Sequence, residues 1–379
     1  MNTWIRQAKK KQANIGLLCV LLTAAAPSFA EGFLPPMEYP VDSPAAAEVG
    51  DFNGDGVLDL VVANSASASV SILLGNGDGS FQEPLIFAAG DTPRSVAVGD
   101  FDGDGNLDVA AADLTAVSIL LGNGDGTLQP AISVQAGPGP SFVAVGDINV
   151  DTIQDLVVVG TNSVSALLGN GDGTFGTPLT FPIQFTNGKL ALGDFNGDGT
   201  PDLVVQSRFA LTVLLGNGDG TFRLSQDHVG SGPGPMVVGD FNGDGMLDLA
   251  VSYWPPFGLG RGNVMVYRGN GDGTFNNLAF PPPQYTERLL GAPVAADFNG
   301  DGVLDIAVKG LSGSSIAVML GNGDGTLQPA TLFPTQFLSN FLVAADLDNN
   351  GAPDLIELNG PGNSVNVLMN NGGNPTPSP

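Results

Sequence analysis

A nine-residue acidic segment recurs seven times along this chain, beginning at Asp51, Asp100, Asp147, Asp194, Asp240, Asp297 and Asp346. Successive starts lie 49, 47, 47, 46, 57 and 49 residues apart. A second segment, Gly-Asn-Gly-Asp-Gly, begins at Gly75, Gly122, Gly169, Gly216, Gly269 and Gly321, and a decayed copy from Asn370 to Gly373 holds the seventh place. Both belong to one unit of about 47 residues. Such a unit cannot bury its own apolar face and must stack on copies of itself. No stretch is left over for a separate domain.

Each unit reads as four short strands. In the second these are Ser95–Val98, Leu107–Ala111, Ala116–Leu121 and Leu128–Gln135, set apart by Gly, Asp, Asn and Pro. The acidic segment joins the first strand to the second, and the Gly-rich turn joins the third to the fourth. Asn-Gly and Asp-Gly steps supply the positive φ angles of tight turns. Seven four-stranded antiparallel units predict an all-β, seven-bladed β-propeller. A β-solenoid is the alternative, but its repeats are usually much shorter. Phe33–Pro44 aligns with the fourth strand of other units, while after Asp354 only three strands remain. The N-terminal segment is therefore expected to complete the last blade and clasp the ring.

Residues 1–30 read as a secretory signal. Arg6 and Lys9–Lys11 precede an apolar run from Ile15 to Ala26, and Ser28-Phe29-Ala30 offers a small-residue cleavage site. The propeller is expected over 31–369, with a Pro- and Asn-rich tail at 370–379. The single Cys19 falls within the signal, so the exported chain would have neither disulfides nor thiol chemistry. Against 12 basic residues stand 38 acidic ones, a net charge of −26. That balance argues against nucleic acid or anionic lipid as a main partner. One His and one Cys leave no material for a His-dependent triad, a Cys–His nucleophile or a zinc cluster.

The acidic segments are candidate metal loops. In the first, Asp51, Asn53, Asp55 and Asp59 place side-chain oxygens at positions 1, 3, 5 and 9, and Val57 offers a backbone carbonyl at 7. Gly56 permits the sharp turn, as in other calcium loops. The equivalent sets are Asp100, Asp102, Asp104, Asn106 and Asp108; Asp194, Asn196, Asp198, Thr200 and Asp202; and Asp240, Asn242, Asp244, Met246 and Asp248. Two more are Asp297, Asn299, Asp301, Val303 and Asp305, and Asp346, Asp348, Asn350, Ala352 and Asp354. All-oxygen donors favour Ca²⁺ over zinc or copper, and a flexible carboxylate loop suits it better than Mg²⁺. Up to seven Ca²⁺ sites follow. The second loop, with four carboxylates, should bind tightest. The third keeps Asp147, Asn149, Asp151 and Asp155 but has Val150 and Thr152 in place of both glycines, so its site is expected to be weak or empty.

The strings DFNGDGVLDL, DFDGDGNLDV and DFNGDGTPDL, with LLGNGDGTF, resemble FG-GAP/VCBS repeats. The resemblance spans nearly the whole chain after residue 30. It implies the seven-bladed propeller of integrin α chains and of many secreted bacterial proteins, with calcium at loop positions 1, 3, 5 and 9. Members commonly serve in adhesion or recognition, and some propellers of similar shape bind sugars.

A partner is expected at the end of the ring opposite the acidic loops. Six of the eight basic residues after position 30 lie in or beside the connections there: Arg94, Lys189, Arg208, Arg261, Arg288 and Lys309. The 57-residue interval reflects insertions at this end of one unit. They bring Tyr253, Trp254, Phe257 and Arg261 together with Tyr285 and Arg288, aromatic and basic groups suited to a glycan or protein surface. A satellite core under the loop is the alternative for Trp254 and Phe257. The reading is of an exported, calcium-binding, non-catalytic recognition or adhesion module for an extracellular glycan or protein. A carbohydrate-active lyase or hydrolase, with Glu287 beside Arg288 and Tyr285, and a structural envelope or matrix component are the alternatives.

Overall fold

The computed structural model describes residues 32–183, 186–207, 210–229, 233–253, 263–277, 291–310, 315–335 and 341–372. They form 28 strands and no helix, so among them no helix is long and apolar enough to cross a membrane. The strands assemble into seven four-stranded antiparallel sheets. From the inside outward, blade 1 is Pro44–Gly50, Asp59–Asn64, Ser69–Leu73 and Leu85–Ala88. Blade 2 is Ser95–Gly99, Asp108–Ala112, Val117–Leu120 and Ile132–Val134, and blade 3 is Phe142–Gly146, Asp155–Gly160, Ser163–Leu167 and Leu179–Pro182. Blade 4 is Thr186–Gly193, Asp202–Ser207, Ala210–Gly216 and Phe222–Val229. Blade 5 is Pro233–Gly239, Asp248–Tyr253, Asn263–Gly269 and Phe275–Asn277. Blade 6 is Val294–Ala296, Asp305–Lys309, Ser315–Met319 and Thr331–Pro334.

Blade 7 takes three strands from the C-terminal end, Leu342–Ala345, Asp354–Asn359 and Ser364–Leu368, and its outer strand, Met37–Pro40, from the other end of the chain. Met37 pairs with Val367 and Pro40 with Ser364. Phe33 bridges Asn370 just as Phe81 bridges Gly75, so it occupies the place of the residue that follows the Gly-rich turn elsewhere. Pro44, aligned with this outer strand by the repeat, instead opens the inner strand of blade 1. Asn370, counted with the tail, is buried and donates from its side chain to the Phe298 carbonyl at 3.0 Å. Inner strands contact their neighbours around the whole circle, which closes the ring.

The core lies between blades. The two middle strands are covered on both faces, so every residue of Asp59–Asn64 and Ser69–Leu73 is buried. Each apolar cluster is shared by adjacent sheets; Val61, Val70 and Ile72 of blade 1 pack with Val109 and Leu120 of blade 2. Truncating Leu120 or Leu156 to Ala would cost about 2–5 kcal/mol. The last inner-strand residue must be small where the next blade's Leu enters. A Cβ on Gly50 would lie 2.4 Å from Leu107, and one on Gly239 would lie 2.5 Å from Leu304.

Candidate metal centres

The acidic loops gather at one end of the ring, each between an inner strand and its neighbour. In the first, Asp51 Oδ1 accepts the amides of Gly54 (2.7 Å) and Asp55 (3.2 Å), and Oδ2 accepts Gly56 (2.8 Å). Asn53 Oδ1 accepts Asp55 N at 3.0 Å, and Asp55 Oδ1 accepts Val57 N at 2.8 Å. These bonds coil the backbone around the side-chain oxygens. The coil needs positive φ at two positions, 71° at Gly54 and 81° at Gly56.

The aspartate at position 9 does a second job. Asp59 is fully buried, and its oxygens accept the amides of Phe52 and Gly75, each at 2.8 Å. Asp108 does the same for Phe101 and Gly122, and Asp354 for Leu347 and Asn370. It is therefore the brace between acidic loop and Gly-rich turn, a role that spacing alone did not reveal. Burial drives these carboxyls upward against the pull of the amides, to about 6 for Asp108, Asp305 and Asp354. Each oxygen retains a lone pair for a further ligand.

The donor set fits a hard cation. Asp100, Asp102 and Asp104 each present an oxygen within 4.8 Å of the others, and so do Asp346, Asp348 and Asp354. No ion pair among the described residues reaches a loop carboxylate. In the first, fourth and sixth loops the Asn at position 3 donates to the Asp at position 5; in the fifth, Asn242 turns to Asp248 instead. Asp78, in the Gly-rich turn, accepts both the amide and the hydroxyl of Ser80, so turn chemistry accounts for it.

Loop 3 adopts the common fold without its glycines, holding Val150 at φ 62° and Thr152 at φ 73°. Asp147 keeps the amides of Asp151 and Thr152, and Asp155 keeps those of Ile148 and Gly169. Unlike Gly54, Val150 gives Asp147 no amide bond. Loop 7 shares that loss, with Asn349 at φ 54° in the same place.

Neighbouring blades are tied at this end. Gly126 donates to the Phe52 carbonyl, Gly173 to Phe101, Gly273 to Phe195 and Gly325 to Phe241, all at 2.9–3.0 Å. At the sixth junction the Asn370 side chain takes this part.

The profile of the FG-GAP-like repeat matches residues 51–111, 101–158, 147–205, 194–251 and 256–308, more than half of the chain. The chain belongs to the FG-GAP-like repeat family. No curated protein matches it significantly. Among solved structures, this FG-GAP-like propeller is similar to an Agrocybe aegerita lectin described as recognising non-reducing terminal N-acetylglucosamine. That match has 22% identity and a TM-score of 0.57, and covers 78% of this chain and 81% of the lectin. It is also similar to BBS1N in complex with ARL6DN, at 13% identity and a TM-score of 0.63, over 90% of this chain and 97% of the other. At these identities the likeness is one of fold.

At the opposite end, Tyr253 closes its strand by pairing with Asn263. Trp254, Phe257, Arg261, Tyr285 and Arg288 lie outside the described residues, as do Arg208 and Glu287. Arg94 is exposed as expected. Two other bases are not on that surface. Lys309 is fully buried between blades 6 and 7 and pairs with Glu357. Lys189 points into the centre of the ring, its ammonium 4.3 Å from the Phe341 ring centroid.

Proposed function

We propose that this FG-GAP-like propeller is a calcium-stabilised recognition module that acts outside the cytoplasm and binds a glycan or protein. The observation that carries the reading is the set of convergent loop carboxylates at one end, none of which forms a salt bridge among the described residues. Asp, Asn and backbone oxygens in each loop would hold one Ca²⁺, whose chemistry there is charge neutralisation and cross-linking of the loop. Asp100, Asp102, Asp104 and Asp108 form the richest set, and loop 3 the poorest.

The propeller shared with a lectin supports a glycan as the first ligand class to test, and the BBS1N–ARL6DN pair supports a protein as the second. Recognition belongs at the end away from the loops, where Tyr253, Trp254, Phe257, Arg261, Tyr285 and Arg288 cluster in sequence. Trp254 is the only Trp beyond residue 30. Titrating a glycan panel in millimolar calcium while following its fluorescence is therefore specific to this loop. A saturable shift with one sugar, lost in Arg261→Ala, is the expected result. Silence across the panel would remove the glycan reading and leave a protein ligand.

A further inference from the structure

The seven inner strands that line the central channel contain only two charged residues, Glu48 in blade 1 and Lys189 in blade 4. Their neighbours on these strands are mostly Val, Ala, Leu and Gly, such as Val49, Val98, Val145 and Leu192. The two charges are opposite in sign and feel each other across the channel, yet they do not come within ion-pair distance. Among the described residues, Lys189 rests on the face of Phe341, 4.3 Å from its centre. Phe341 comes from blade 7 and packs on the cores that blade 1 shares with both its neighbours, so it reaches over the channel at the level of Lys189. Glu48 lies nearer the acidic loops, three residues before its loop, whereas Lys189 and Phe341 each stand five before theirs. Glu48 is exposed although the strand around it is half-buried or buried.

Elsewhere the chain handles buried charge differently. Lys309 and Glu357 face each other from adjacent blades and are joined directly, with Thr335 accepting a further bond from the ammonium. That pair is a structural tie. Glu48 and Lys189 are held apart instead, and enclosure by protein pushes the carboxyl up to about 7 and the amine down to about 8. Two opposed charges separated by a gap between apolar walls form a fixed dipole. A solute with the reverse dipole satisfies both ends at once, whereas a simple anion or cation satisfies one and is repelled by the other.

We propose that the central channel binds a small zwitterion of the amino-acid class, its ammonium against Glu48 and its carboxylate against Lys189. Phe341 forms the apolar floor. The site is separate from the acidic loops.

Calorimetric titration of the whole protein with glycine, β-alanine and γ-aminobutyrate tests this, since the series varies the spacing of the two charges. One member should bind saturably. Its methyl ester, which lacks the negative pole, and its N-acetyl form, which lacks the positive one, should each bind at least tenfold more weakly. Those two comparisons use the unaltered protein and do not depend on a variant folding. Glu48→Gln and Lys189→Met should each weaken binding by a similar factor. No heat from any of the three, or binding equally strong for the ester and the N-acetyl form, would overturn the proposal.

Discussion

Five acidic loops and the two that differ from them show how the ring is held. Loops 1, 2, 4, 5 and 6 have Phe at position 2 and Gly at position 4; loops 3 and 7 have Ile148 and Leu347, then Val150 and Asn349. In all five the position-4 amide bonds the first Asp, and the position-2 carbonyl receives a donor from the next blade. Among the described residues, loops 3 and 7 have neither bond. All five bonded loops have a ring at position 2, and at two of them it packs edge-on on a ring of the next blade: Phe101 against Phe175 at 5.6 Å, and Phe195 against Phe275 at 5.4 Å.

The two exceptions therefore mark two seams, between blades 3 and 4 and between blades 7 and 1. They divide the ring into groups of three and four blades. The second seam is the point of ring closure, and there Tyr39 of the N-terminal strand substitutes. Its hydroxyl accepts the Phe81 amide at 3.1 Å, and the rings meet edge-on at 5.6 Å. The seam beside loop 3 has no such tyrosine. It also carries the β-branched Val150 and Thr152 in left-handed backbone, so it is the weaker of the two.

The sharpest way to break the contrast is to remove a brace. Asp108→Ala orphans two buried amides at a strong junction and should destabilise by about 3–5 kcal/mol, whereas Asp108→Asn, which keeps one acceptor, should cost less. Denaturant unfolding at fixed calcium measures both. Converting a strong junction into a seam comes next. Phe101→Ile removes an aromatic contact, buried carbon and the link to Gly173, and about 2–3 kcal/mol should be lost. A smaller gain is expected from loop 3, where Val150→Gly with Thr152→Gly relieves left-handed strain of about 1 kcal/mol per position. The same pair should raise calcium affinity at that loop, read by calorimetry against the unaltered chain.

The smallest effect concerns the channel. Because Glu48 holds its proton up to about 7 when folded but releases it near 4.5 when unfolded, the folded state binds the proton more tightly. Stability from this group is present below 4.5 and is lost as pH rises toward 7. Lys189, lowered to about 8, acts in the opposite direction: its penalty is full below 8 and is relieved as pH rises toward 10.5. Glu48→Gln should therefore flatten the fall in melting temperature between 4.5 and 7. An unchanged slope would show that Glu48 is not enclosed.

Blade number, strand order and the N-terminal clasp were legible because each depends on spacing, and spacing survives in the sequence. The position of each acidic loop between an inner strand and its neighbour was legible for the same reason. The brace at position 9 was not, since its partners, Phe52 and Gly75 for Asp59, lie on two different connections. Lys189 and Lys309 were misplaced because strand alternation gives a side chain's parity but not its depth. One sits four residues before the end of its inner strand beside the channel, and the other ends a middle strand that both adjacent blades cover. A charge within an otherwise apolar inner or middle strand was the available signal, and Glu48 and Glu357 carry it too. The residues of the blade-5 insertion broke the period, which drew attention to them but could not arrange them.

Counting bound metal by native mass spectrometry in millimolar calcium, with melting followed before and after chelation, bears most directly on the account. Six ions held firmly, a seventh at loop 3 held weakly or not at all, and a lower melting temperature in EDTA are the predicted results. A site at a hundredfold its Kd contributes about 2.7 kcal/mol, so the shift should be large. A protein that binds no calcium and melts identically in EDTA would contradict the account, and its loops would then be hydrogen-bonded turns alone.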